Sequence, residues 1–181
     1  MVEIEGKHHA DYTDFEAVNS REDVLEMLIM SYKSLCEDQD DWVCNLSNAS
    51  SLLWHAYQSL NVNVNWSGFY ITKKGKDDEL LLGPFQGKVA CQTIPFGKGV
   101  CGTAASTHKT QVVSDVNKFP DHIACDGETL SEIVVPIISD KGKVLGVIDL
   151  DCLDYNGFGE TDKKYLEELA ELIAKTCNFN R

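Results

Sequence analysis

No apolar run in this chain approaches the ~20 residues that a membrane-spanning helix requires. The opening Met1-Val2-Glu3-Ile4-Glu5-Gly6-Lys7 has no apolar core of the kind a signal peptide carries. The resulting expectation is an intracellular protein, cytoplasmic, with the nucleus also open to it. Basic residues are scarce: 16 Lys and Arg stand against 29 Asp and Glu, a net charge of -13. Nucleic acid and an anionic membrane surface are thereby excluded as partners, since both need a basic face. No Cys-x-x-Cys pair occurs, and structural zinc sites commonly contain one. No Gly-Lys-Ser/Thr occurs, and Gly97-x-Gly99 lacks the third glycine of a dinucleotide loop. The expectation is therefore no metal and no cofactor.

Cysteine is abundant instead. Seven residues is an odd number and a high one for a reducing compartment. A secreted disulfide framework would show even numbers and a leader, so reactive thiols are the better expectation. Three of them, Cys91, Cys101 and Cys125, lie in glycine-bearing, turn-prone surroundings between residues 84 and 136. A thiol in a loop or at a helix start is open to ionisation in a way that a thiol on an apolar helical face is not.

The 181 residues suffice for one domain with a real core. Residues 1–19 are polar and are expected to be only partly ordered, leaving a single domain over 20–181. Ser20 reads as an N-cap, followed by Val24, Leu25, Leu28, Ile29, Tyr32 and Leu35 at helical spacing. A second helix over 41–60 has the apolar set Val43, Leu46, Ala49, Leu52, Leu53, Ala56, Tyr57 and Leu60. Cys36 and Cys44 read as small core residues, and His55 as a packing residue. The pattern then turns to strands, rich in aromatic and β-branched residues: 66–72, 79–83 and 88–94. Gly97-Lys98-Gly99 leads into a short helix from about Val100, and 111–113 is a short strand before a loop over 116–130. Two strong strands, 131–138 and 143–151, flank the hairpin turn at 140–142, and a last helix begins near Thr161. This order predicts an α+β fold with one antiparallel sheet, the terminal helices on one face and the cysteine loops on the other. A pocket between sheet and loops is the default ligand site.

Cys101 follows Gly97-Lys98-Gly99 at a predicted helix N-terminus, where helix N–H groups and Lys98 would favour a thiolate. Cys125 lies in a loop three residues after His122, and Cys91 at the end of a predicted strand. Simple burial explains one such cysteine better than reactivity does, but three in one stretch favour function. Glu132 opens one strong strand. Asp149 and Asp151 close the next and, two apart, point to one face. They are pocket carboxyls or solvated strand ends, and spacing alone does not choose. Trp66 and Tyr70 offer an aromatic wall, whereas Phe69 reads as core.

Seven motifs together resemble the free methionine-R-sulfoxide reductases, which are GAF-domain enzymes. They are Trp66-Ser-Gly-Phe-Tyr70, Leu82-Gly-Pro-Phe-Gln-Gly87, the Gly97-Lys-Gly-Val-Cys-Gly-Thr-Ala104 run with Cys91 before it, Asp115-Val116, His122-Ile-Ala-Cys-Asp126, Ser131-Glu-Ile-Val-Val-Pro136 and Gly146-Val-Ile-Asp-Leu-Asp151. The similarity spans about residues 20–177. It implies a six-stranded antiparallel sheet flanked by helices. It implies reduction of the R-sulfoxide of the free amino acid, with thioredoxin as electron source. A homodimer is one of the assembly states left open by the sequence. It makes Cys91, Cys101 and Cys125 the redox set, Trp66 and Tyr70 the wall around the substrate's methyl-sulfur end, and Glu132, Asp149 and Asp151 the polar side. For the nucleophile, the helix argument favours Cys101 and the family pattern Cys125. The competing classes are a GAF module that only binds a small ligand and a redox sensor without turnover.

Overall fold

The computed structural model describes residues 12–15, 20–120 and 127–179. Helix α1 (Arg21–Leu35) is capped by Ser20, whose Oγ accepts the Asp23 N–H at 3.1 Å. Helix α2 (Trp42–Ser59) is capped by Asp41, whose Oδ1 accepts the Cys44 N–H at 3.1 Å. Each cap satisfies a backbone donor that the first helical turn leaves open. Strands β1 (Val64–Thr72), β2 (Glu79–Gly87) and β3 (Thr93–Pro95) follow, then helix α3 (Gly99–Thr107), strand β4 (Gln111–Val113) and a 3-10 turn at Val116–Lys118. Strands β5 (Ser131–Ile138) and β6 (Val144–Cys152) precede helix α4 (Glu160–Thr176). The six strands form one sheet in the order β3-β2-β1-β6-β5-β4, antiparallel throughout.

Alternation along the central strands sorts the core into two layers. Phe69 of β1, Ile148 and Leu150 of β6, and Ile133, Val135 and Ile137 of β5 are buried with the stripes of α1, α2 and α4. Trp66 and Tyr70 of β1, Val147 of β6 and Val134 of β5 face the opposite way and pack with Val100, Cys101, Ala104 and Ala105 of α3. The helices from both ends of the chain thus cover one face, as the sequence predicts. The other face receives α3 and the loops.

The terminal helices are joined by a buried carboxylate. Asp162, in the first turn of α4, is 1% exposed. Its Oδ2 accepts from Arg21 Nη1 at 2.6 Å and from the Gly159 N–H at 2.7 Å, and its Oδ1 accepts from the Tyr57 hydroxyl at 2.9 Å. One side chain therefore ties together α1, α2 and the start of α4.

Several expectations are corrected. The strand predicted over 88–94 shrinks to Thr93–Pro95, and Cys91 stands in a loop rather than at a strand end. Strand β2 instead runs on to Gly87, whose φ of 124° ends it. A Cβ there would stand 2.6 Å from the Asn65 carbonyl oxygen, so only glycine fits. Val43 and Cys44 of α2 are exposed, not core, and so is His55. All three lie off the arc that carries Leu46, Ala49, Leu52, Leu53, Ala56 and Tyr57 into the core. Cys36 does enter the core.

Candidate active site

Sheet register brings the acidic residues together. Glu132 of β5 stands directly opposite Asp151 of β6. Asp149, two residues earlier on β6, lies opposite Gly68 of β1, and Asp151 opposite Trp66. The three acids and Trp66 belong to the face that receives α3. Glu132 and Asp149 are each 6% exposed, whereas Asp151 is half-buried. The solvated strand ends that spacing left open are thus not what the fold makes of Glu132 and Asp149.

The first turn of α3 lowers Cys101 onto this cluster. Cys101 is 4% exposed. One donor atom each from Cys101, Glu132 and Asp149 lies within 4.8 Å of the other two. Burial pushes the Cys101 thiol well above the ordinary thiol range, and the Asp149 and Glu132 carboxyls push it further. This corrects the reasoning that favoured a Cys101 thiolate. The helix N-terminus and Lys98 are real features of α3, but Lys98 is its exposed N-cap while the thiol points the other way, into a buried acidic cluster. Desolvation and like charge both oppose ionisation.

The carboxyls share that environment. Burial, then Asp151, raises Glu132 well above the usual carboxylate range. Burial, then Glu132, does the same for Asp149. Oδ1 of Asp149 is buried and has no hydrogen-bond partner among the described residues. The Tyr70 hydroxyl is also pushed up, first by burial and then by Asp149 and Cys101, so it stays a neutral phenol.

An aromatic stack walls the other side. Trp66 lies between Tyr70, with ring centroids 5.8 Å apart, and Phe85, with centroids 5.2 Å apart and planes within 13°. Trp66 Nε1 donates to the Lys88 carbonyl oxygen at 3.1 Å, which fixes the ring and draws the chain off the sheet after Gly87. Gly68 makes the stack fit: a Cβ there would stand 2.4 Å from the Phe85 Cβ. Trp66, Tyr70, Lys88, Val89, Ala90, Asp149 and Asp151 line a narrow recess with only about 10 Å³ of free space. Lys88 also forms an ion pair with Glu128 at the surface. A wider groove of about 560 Å³ lies on the helix side, lined by residues such as His108, Pro136, Lys163 and Glu167. It is an open surface trough, whereas the recess joins a rigid aromatic wall to buried acids, and we assign the site to the recess.

Of the predicted site residues, the structure brings Trp66, Tyr70, Glu132, Asp149, Asp151 and Cys101 to one place. Cys91 is disulfide-bonded, whereas Cys36, Cys44, Cys101, Cys152 and Cys177 are free thiols. Cys125 and His122 lie outside the described residues. Phe85 and Lys88 were missed by the site reading, although Phe85 stands inside the Leu82–Gly87 motif. The signal for them is Gly87, a glycine two residues after Phe85 at the end of a strand.

A curled antiparallel sheet with N- and C-terminal helices on one face, and a loop-covered ligand recess on the other, defines a GAF domain. The GAF domain family profile matches residues 47–176. A solved structure described as the structure of the GAF domain superposes with a TM-score of 0.93 at 64% identity, covering 96% of this chain and 98% of that one. The free methionine-R-sulfoxide reductase of Saccharomyces cerevisiae is 64% identical over 174 residues, 96% of this chain and 97% of the relative. That of Neisseria meningitidis, solved in complex with its substrate, is 42% identical with a TM-score of 0.81, covering 87% and 90%. The chain belongs to the free methionine-R-sulfoxide reductase family of GAF-domain proteins, and it is an oxidoreductase.

Proposed function

We propose that the protein reduces free L-methionine-(R)-S-oxide to methionine in the recess between Trp66 and the acidic cluster. The observation that carries this reading is the meeting of buried, proton-holding carboxyls with a rigid aromatic wall at one end of β1, β5 and β6. A sulfoxide has one strong hydrogen-bond acceptor, its oxygen, and one apolar end, its methyl group. The stack of Tyr70, Trp66 and Phe85 suits the methyl-sulfur end. Glu132 and Asp149, held protonated by burial, suit the oxygen. Asp151, the most exposed of the three acids, suits the ammonium group that a peptide-bound methionine lacks.

The reaction balances as follows. The Cys125 thiolate attacks the sulfoxide sulfur while Glu132 delivers a proton to the oxygen. The oxygen then passes from the substrate sulfur to the Cys125 sulfur as the transient sulfur–sulfur bond and the substrate sulfur–oxygen bond both break, so methionine leaves and Cys125 is left as a sulfenic acid. The Cys91 thiol displaces that oxygen as water, forming a disulfide, and a dithiol protein of the thioredoxin class reduces it. The disulfide at Cys91 supports its part in this cycle. The buried, un-ionised state of Cys101 argues against it as attacking group and leaves Cys125 as nucleophile, with Cys101 as a neutral neighbour of Asp149.

Steady-state reduction of both sulfoxide epimers with thioredoxin tests this. We expect turnover of the free R epimer and none of the S epimer or of the N-acetylated sulfoxide. Equal turnover of the N-acetylated compound would remove the role given to the acids at the ammonium end. Oxidation by peroxide without methionine release would make the protein a redox sensor.

A further inference from the structure

The acidic cluster has the composition of a metal site as well as that of a proton store. Cys101, Glu132 and Asp149 supply one thiol and two carboxyl donors, all buried. They come from three separate elements, α3, β5 and β6, so the fold holds them without any local sequence motif. No two of their donor atoms are more than 4.8 Å apart. A tetrahedral ion with bonds of ~2.0–2.3 Å holds its donors roughly 3.3–3.8 Å apart. Side-chain adjustments of about 1.5 Å or less would therefore close the trio on an ion.

A second observation points to a ligand. Oδ1 of Asp149, on a side chain 6% exposed, has no hydrogen-bond partner among the described residues. A buried carboxyl oxygen without a donor is costly and is met by an incoming cation or donor. Asp149 also lines the recess, so the cluster has an entry path from solvent.

We propose that Cys101, Glu132 and Asp149 form a three-ligand site for a thiophilic divalent cation of the zinc class, and that the bound ion blocks the recess to substrate. The donor set selects the ion: thiolate and carboxylate together suit zinc and cobalt and disfavour magnesium or calcium, which take oxygen alone. On binding, the thiol and carboxyl protons pass to solvent. The blocking claim rests on the reductase reading of the recess; the binding claim does not. The ligand set is unrelated to the loop cysteines, whose spacing gave no zinc motif.

Cobalt titration of the reduced full-length protein tests both claims. We expect a thiolate-to-cobalt charge-transfer band saturating at about one equivalent. The band disappears in Cys101→Ser and weakens at least tenfold in affinity in Asp149→Asn, with folding checked by circular dichroism. It persists in a variant with Cys91 and Cys125 both changed to Ser, and excess free methionine-R-sulfoxide displaces it. Zinc then raises the apparent KM of the wild-type enzyme, and chelator restores it. A band that survives Cys101→Ser, or that is unchanged in Asp149→Asn, overturns the site. Turnover of the sulfoxide with no cobalt band keeps the reductase reading and sinks the cation site. A band that needs the trio but ignores the sulfoxide keeps the cation site and sinks the placement of substrate in this recess.

Discussion

Glu132 and Asp151 face each other across the β5–β6 ladder, and nothing about their separation in sequence announces it. Cross-strand partners lie close enough for two carboxyls to repel, and here burial adds to that repulsion. The pair therefore retains a proton where an exposed pair would not. That is the property a sulfoxide reduction needs, since the departing oxygen must be protonated as the thiolate attacks.

Replacing Glu132 by Gln keeps the shape of the side chain and removes its acid. We expect kcat/KM for the free R-sulfoxide to fall by about 10²–10⁴-fold, the range for loss of a general acid. Asp151→Asn should act mainly through substrate binding, raising KM more than it lowers kcat. Near-normal kinetics in both variants would return the two residues to a structural role.

The same burial has a stability consequence. Glu132 and Asp149 have folded-state pKa values raised well above their unfolded ones. The folded protein binds more protons than the unfolded chain over that interval, so unfolding free energy falls as pH rises. The stabilisation is complete below about pH 4, where unfolded carboxyls are protonated, and is lost as pH climbs through the folded values. Urea unfolding from acid to alkaline pH should show this decline, and Asp149→Asn should flatten it. A wild-type profile that rises across the same interval would contradict the protonated cluster.

Legibility in the sequence followed physical range. Amphipathic stripes, caps, the glycine turn before α3 and β-branched runs are local signals, and they placed the four described helices and the two strong strands. The face assignment of Asp149 and Asp151 came from strand periodicity alone. The strand at 88–94 failed because tertiary contacts outweighed local propensity: the positive φ at Gly87 and the Trp66 bond to the Lys88 carbonyl lead the chain off the sheet. The Cys101 thiolate failed for a related reason. A helix N-terminus can be recognised in sequence, but the direction in which its third residue points depends on how α3 packs. Packing set that thiol against two carboxyls on strands about 30 and 50 residues away, a long-range juxtaposition beyond any local pattern.

Asp162 supplies a prediction for the scaffold. Its carboxylate serves Arg21, Tyr57 and the Gly159 N–H at once. Asp162→Ala leaves buried donors unmatched and should cost roughly 3 kcal/mol of unfolding free energy. Because the network lies on the helix side of the sheet, kcat/KM at temperatures where the variant is folded should change little. Urea denaturation and kinetics on the same preparation separate the two effects.

Gly68→Ala tests the wall. The added Cβ would meet the Phe85 Cβ at 2.4 Å, too close for any side chain to remain in place. Phe85 must withdraw from Trp66, at an overpacking cost of about 1–3 kcal/mol. We expect a higher KM and altered tryptophan fluorescence. Unchanged KM would take the aromatic stack out of substrate recognition.

The cysteines can be ordered by single-turnover release of methionine without added reductant. Attack needs a thiolate, and burial with two adjoining carboxyls denies Cys101 that state. We therefore expect Cys125→Ser to release no methionine. Cys91→Ser should release about one equivalent and leave a sulfenic acid that can be trapped on Cys125, because the oxygen acceptor is intact and only the resolving thiol is missing. Cys101→Ser should slow the burst without abolishing it. Cys36 and Cys177, packed about Tyr32 at the far side of the sheet, and Cys44 and Cys152 should be dispensable for the burst. A burst from Cys125→Ser that is absent from Cys101→Ser would reverse the assignment. It would also mean that substrate, once bound, ionises a thiol which the empty recess keeps protonated.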